Sequence, residues 1–428
     1  MSFISFSLRP AASAALSVLL FQAAAAHARG QDQAGIEKAL EGLPPEVRQS
    51  VRLQPDGMDL PSASADDPLS LAVRAASLVS GDTETQNRLL HDCGRQAVRQ
   101  GRTGTARALA ARLTDYRAAL LLVEIAEKEA GKDRGQARGL VMLAAGMTGM
   151  IKPWQAELVL ARLVHAGALL EIDEDVTRVW WESIRDPETR FASGAALMTL
   201  ESAKTGVFDL ARLRSGQDAK TRGKPVPALL EVSRRLFGQA LERLASTDAR
   251  QQALGTALVE SGIEVLAISN VPKAEVLVET AVGFFQAGHE YLARRLFNVV
   301  EDRLAAPHEE QARLMWHVAR LWALRGRASD MPPLLAETEA AVRRMDGMHH
   351  PFAFAWLAAA QELSGERDKA AALLNEAVTS AAENPNRRTG LAGAVEISLC
   401  HARTGRVLPE NVNKKLAEMA GLPAAAGE

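Results

Sequence analysis

Aromatic residues make up only 4% of the 428 residues, with two Tyr in the whole chain. Strands favour aromatic and β-branched side chains, so this shortage argues against a β-rich fold. Excess charge of one sign is also missing. Lys and Arg number 50 against 52 Asp and Glu, a formal net charge of −2. That balance supplies no global attraction to nucleic acid or to an anionic surface. Cysteine is nearly absent, at Cys93 and Cys400 only. Both sit in apolar helical stretches, as small buried side chains do. In an elongated fold they stand too far apart to bond each other, since a disulfide needs Cα atoms within about 7 Å.

Catalytic and metal signatures are missing too. The chain has no Gly-x4-Gly-Lys-Ser/Thr loop, no His-Glu-x-x-His, no paired Cys motif and no Gly-x-Ser-x-Gly. The stretch Gly216-Gln-Asp-Ala-Lys-Thr-Arg-Gly-Lys224 has phosphate-loop residue types without the spacing. His349-His350 is the only histidine pair and reads as an inter-repeat loop. The acidic run Glu171–Asp175 lacks the Gly of a calcium loop and reads as a helix start, where the dipole favours acids. Of Trp180-Trp181, one ring is expected to face outward. No cofactor and no metal are expected, and no enzyme activity is indicated.

What is present is helix. Ala, Leu, Arg and Glu dominate, and all are good helix formers. From Leu69 onward apolar residues recur at helical spacing. The breaks fall near Gly81-Asp82, Gly101, Thr114-Asp115, Gly131-Lys132, Pro153, Asp173, Asp186-Pro187 and Thr205-Gly206. Asp82, Asp173 and Asp186 are placed to cap the helices that follow, by accepting from free backbone N–H groups.

The N-terminus reads as a secretory signal over residues 1–28. Arg9 is its positive charge, Ala11 to Ala26 is an uncharged run too short for a comfortable membrane span, and Ala26-His27-Ala28 is a small-x-small cleavage site. Export to a periplasm or beyond the cell follows, with cleavage after Ala28. No later run is long and apolar enough to span a membrane. Residues 29–68 hold a short helix and a Pro/Gly/Ser/Asp-rich linker. Residues 69–211 form a first helical half. A basic Gly/Pro segment, 212–227, carries Arg212, Arg214, Lys220, Arg222 and Lys224 and reads as the boundary to a second half, 228–407. A polar capping helix and tail, 408–428, closes the array, as solenoid ends require.

The second half repeats. Gly288, Gly326, Gly365 and Gly405 stand 38, 39 and 40 residues apart. Each ends an apolar helix, where glycine adopts positive φ at little cost. A period of this length marks a solenoid of helical hairpins.

The unit around Gly365 resembles a tetratricopeptide repeat. Phe354 stands eleven residues before Gly365, where that motif has its Trp, and Leu357-Ala358 fall at its Leu-Gly pair. Ala370, Leu374 and Ala377 follow at its small, large and small positions. Ala281, Phe284, Ala293 and Phe297 match around Gly288, as do Ala319, Trp322 and Leu335 around Gly326. Gly94, Ala97, Gly101 and Ala106 give a fainter copy in the first half. From 140 to 270 the resemblance is weak.

The resemblance implies an all-α, right-handed superhelix of helical hairpins with a concave groove, and no chemistry. It implies a protein or peptide partner on the exposed face of each first helix. Those positions include Glu279, Gln286, Arg313, Trp316, His317, Arg320 and Trp356. Trp316 and Trp356 either line the groove or pack between units. Two other readings remain: a structural subunit of an envelope or secretion assembly, and an enzyme whose site lies around His165, Glu171 and Trp181.

Overall fold

The computed structural model describes residues 66–216, 225–226, 228–270, 274–301, 315–320, 323, 326 and 331–422. The expected signal segment, most of the basic segment 212–227, Arg313 and Trp322 lie outside these. Among the described residues the fold is all-α, without a strand. No described helix is long and apolar enough to cross a membrane.

Two compact units divide the chain. One comprises residues 90–200. It holds most of α2 (Thr83–Arg99), then α3 (Thr103–Ala110), α4 (Arg117–Glu129), α5 (Arg134–Met147), α6 (Pro153–Leu169), α7 (Glu174–Ser183) and most of α8 (Pro187–Thr205). The other comprises residues 62–89 and 201–428. It holds α1 (Pro68–Ser77), α9 (Leu210–Gly216), α10 (Leu229–Leu244), α11 (Ala249–Ser269), α12 (Ala274–Gln286), α13 (Glu290–Glu301), α14 (Pro332–Val342), α15 (His350–Leu363), α16 (Arg367–Ala382), α17 (Arg387–Thr404) and α18 (Glu410–Met419). Residues 315–320 are also helical.

The helix boundaries follow local chemistry. Asp82 accepts from Thr85 N at 3.0 Å, Asp173 from Asp175 N at 2.8 Å and Asp186 from Thr189 N at 2.7 Å. The four periodic glycines all have positive φ, between 68° and 92°. Consecutive helices then pair as hairpins: α4 with α5 and α6 with α7 in the first unit; α10 with α11, α12 with α13 and α15 with α16 in the second. The motif positions Phe354, Leu357, Ala358, Ala370, Leu374 and Ala377 are all buried in the α15–α16 hairpin.

Three findings correct the sequence reading. First, the units do not meet at 212–227. Arg212 and Arg214 belong to helix α9, and they bridge to Glu201 (3.4 Å) and Glu264 (2.6 Å) in the same unit. Second, residues 69–89 belong with the C-terminal unit. Helix α1 buries Leu69, Leu71, Ala72, Val73, Ala75 and Ala76 and packs on α17, more than 300 residues away. Arg74 Nε donates to Ala420 O at 3.3 Å, and Arg88 lies 3.8 Å from Glu396. A ten-residue helix buried on most sides takes its main partner from a distant segment. Helix α18 instead lies along α16, through Asn411–Asn375 (2.6 Å) and Lys415–Thr379 (3.1 Å). Third, neither ring of Trp180-Trp181 faces fully outward. Trp180 is buried, and Trp181 lies over Gly194, where an added Cβ would stand 3.1 Å from the ring. Cys93 and Cys400 are both buried.

Candidate functional site

Stacked hairpins bring their first helices side by side, and charged residues on those helices meet across the seams. In the second unit, Arg234 on α10 reaches Glu279 on α12 at 3.6 Å, with both side chains about half exposed. Arg320 lies on the helical stretch 315–320. Burial lowers the pKa of its guanidinium, and the Glu279 carboxylate partly offsets this. The guanidinium stacks 4.7 Å above the Trp316 ring, a cation–π arrangement. Beneath it, Trp316 packs against Trp356 with ring centroids 5.3 Å apart, and Phe352 flanks Trp356 at 6.1 Å. His317 lies against Trp316 at 4.8 Å.

The sequence-derived residues therefore separate into two groups. Glu279 and Gln286 are exposed and Arg320 is half-buried. Trp316 is 7% exposed, Trp356 1%, and His317 is buried with them. A ring with 1% of its surface in contact with water offers no face to a partner, so of the two alternatives for Trp316 and Trp356 the structure has them packed between units and not lining the groove. The two tryptophans seat neighbouring hairpins and hold Arg320 from below. On α15 this burial extends to nearly every face, because Ala353, Ala355, Ala358, Ala359 and Ala360 admit neighbours closely on all sides. Helix α17 is similar. An added Cβ at Gly390 would fall 2.5 Å from Ala381 O. The charges of this face lie on α10, α12 and the stretch 315–320, and a further exposed network joins Arg343 to Glu339 and Glu376 at 2.7 Å each.

No protein-family model and no curated protein matches the chain. A solved structure described as a "Circular tandem repeat protein with novel repeat topology and enhanced subunit contact surfaces" aligns over 96% of this chain and 94% of its own, at 15% identity and a TM-score of 0.21. Nothing is carried over at that score. The helical-repeat architecture rests on the hairpins themselves.

The first unit carries its own cross-helix pairs. Arg95 on α2 meets Glu124 on α4 at 3.2 Å. Glu127 on α4 accepts from Arg162 on α6 at 2.7 Å and lies 2.9 Å from His165 Nδ1. Of the residues considered for an enzyme site, His165 is buried against Glu127, Glu171 is exposed and bridges to Arg134 at 3.2 Å, and Trp181 covers Gly194. Each is held by a different partner. Among the described residues, no three His, Cys, Asp or Glu side chains are grouped to hold a metal ion.

Trp154 escaped the sequence reading. It stands at the start of α6 and is 59% exposed. Its ring tilts against Tyr116 at 5.9 Å, and Arg117 lies 5.0 Å over the Tyr116 ring. The one local signal is Pro153, which starts the helix and leaves the next side chain in its open first turn.

Proposed function

We propose that this protein is an exported, non-catalytic helical-repeat scaffold of tetratricopeptide-like hairpins. It binds a protein or peptide partner on the first-helix face of its second unit. The observation that carries the reading is the half-exposed series Arg234, Glu279 and Arg320 on the first helices of the second unit, with Arg320 stacked on the Trp316 ring. Charges of alternating sign on rigid helices give a partner register and steer its approach. Arg is among the residues enriched at interaction hot spots, and Trp316 holds Arg320 in place from below. Export is supported by Arg9, the uncharged run to Ala26 and the Ala26-His27-Ala28 site.

The test is a quantitative comparison of co-purifying partners for the wild-type chain, Glu279→Arg, Arg320→Glu and a remote surface control, Arg178→Glu. Partners lost from both groove variants and kept by the control support the reading. Partners retained by Glu279→Arg, whose exposed side chain perturbs no core, sink it. N-terminal sequencing of the protein from its own cells checks export, with Arg29 expected as the first residue.

A further inference from the structure

Large apolar side chains stand exposed at ten described positions, and four of them, Met142, Met150, Trp154 and Leu158, fall within 17 residues. That density sets this corner apart from single exposed residues, which need no explanation. Its geometry is the connection between two hairpins. Helix α5 ends at Met147, a 3-10 turn spans Thr148–Met150, and Pro153 opens α6. Trp154 and Leu158 lie one turn apart on the same stripe of α6.

The charge is as distinctive as the shape. From Gly139 to Ala156 the only charged residue is Lys152. The nearest acids are engaged: Glu157 accepts from Asp186 N at 2.8 Å, and Asp115 accepts from Arg117 N at 3.0 Å and pairs with its guanidinium. The corner therefore presents Trp154, Tyr116 and Lys152 beside Met150 and Ile151. Trp and Tyr with Lys are the side chains that settle at a membrane–water boundary, with the rings at headgroup depth and the cation towards anionic lipid.

We propose that the α5–α6 corner is a lipid-contact site that seats the first unit on a bilayer surface bearing anionic headgroups. Met150 and Trp154 enter the headgroup boundary and Lys152 pairs with lipid phosphate. No helix is required to cross the membrane. The proposal uses none of the residues of the partner-binding face and stands or falls separately from it.

The test places an environment-sensitive dye on Met150→Cys in the full chain; both native thiols are buried and do not compete for label in the folded state. Vesicles of phosphatidylglycerol and phosphatidylcholine in equal parts should brighten and blue-shift the dye, and phosphatidylcholine alone should do so much less. The same dye on Tyr291→Cys, an exposed position in the other unit, should stay silent. Lys152→Glu and Trp154→Ser should each weaken the response about tenfold, the scale of one lost surface cation or one interfacial ring. A silent dye at 150, equal responses at 150 and 291, or a response unchanged by Trp154→Ser overturns the proposal. So does a dye response that follows protein concentration without lipid, which would assign the corner to a second copy of the chain.

Discussion

The hairpins α15–α16 and α6–α7 are built alike and differ in where their apolar side chains go. In α15 nearly every position from Pro351 to Gln361 is buried, Trp356 included. In α6 the side turned to water carries Trp154 and Leu158. The first hairpin is where the tetratricopeptide resemblance is specific, and the second lies where it is weak. Of the ten exposed large apolar side chains among the described residues, six fall between 140 and 270 and four between 291 and 407.

The comparison breaks most readily at its two tryptophans. Trp356→Ala should cost about 3–5 kcal/mol, the usual range for emptying a large aromatic site in a core. Trp154→Ala should stay within about 1 kcal/mol, since the ring is mostly in water. Denaturant unfolding of the two variants measures both, and similar losses would erase the distinction.

A second test uses acid. Burial holds His401 on α17 at about 4, below its ordinary value near 6.5, with a hydrogen bond to the Arg406 backbone pulling the other way. Below pH 6.5 the unfolded chain takes up a proton that the folded chain refuses. Stability should therefore be flat above pH 6.5 and fall by about 1 kcal/mol per unit between pH 6.5 and 4 from this residue. His401→Gln should flatten that part of the slope. His91 in the first unit, also held at about 4 by burial, should leave a similar slope of its own in that variant. Stability profiles that coincide for wild type and His401→Gln would refute the buried neutral imidazole.

The smallest contrast lies between two helical glycines. Gly390→Ala drives a Cβ to 2.5 Å from Ala381 O, a backbone atom that cannot step aside, and should cost about 1–3 kcal/mol. Gly238→Ala on α10 meets nothing within 4 Å and should stabilise by about 0.5–1 kcal/mol through helix propensity. Thermal unfolding of the pair gives the sign of each directly. A gain at 390 would mean that α17 does not approach α16 as closely as described.

Much of this molecule was legible before its structure. The Asp caps at 82, 173 and 186, the glycine period and the small–large alternation of the Gly365 unit are all signals written within one or two helical turns. Each came out where local chemistry placed it. Less was legible at the site. Glu279 and Arg320 remain on the open face, but Trp316 and Trp356 do not. Whether a tryptophan lines a groove or fills a seam depends on what the next hairpin brings against it. Periodicity reports the face of a helix and does not report how many neighbours that face has.

The amino-acid sequence by itself determined the helices, their ends and their pairing into hairpins, because capping, glycine turns and 3.6-residue periodicity act between residues a few positions apart. Only the tertiary structure decided that α1 packs against α17, that Trp356 is sealed while Trp154 is open, and that the units divide inside α2 and α8. Those outcomes depend on which apolar faces remain after the local hairpins have formed, and that competition is settled between segments hundreds of residues apart.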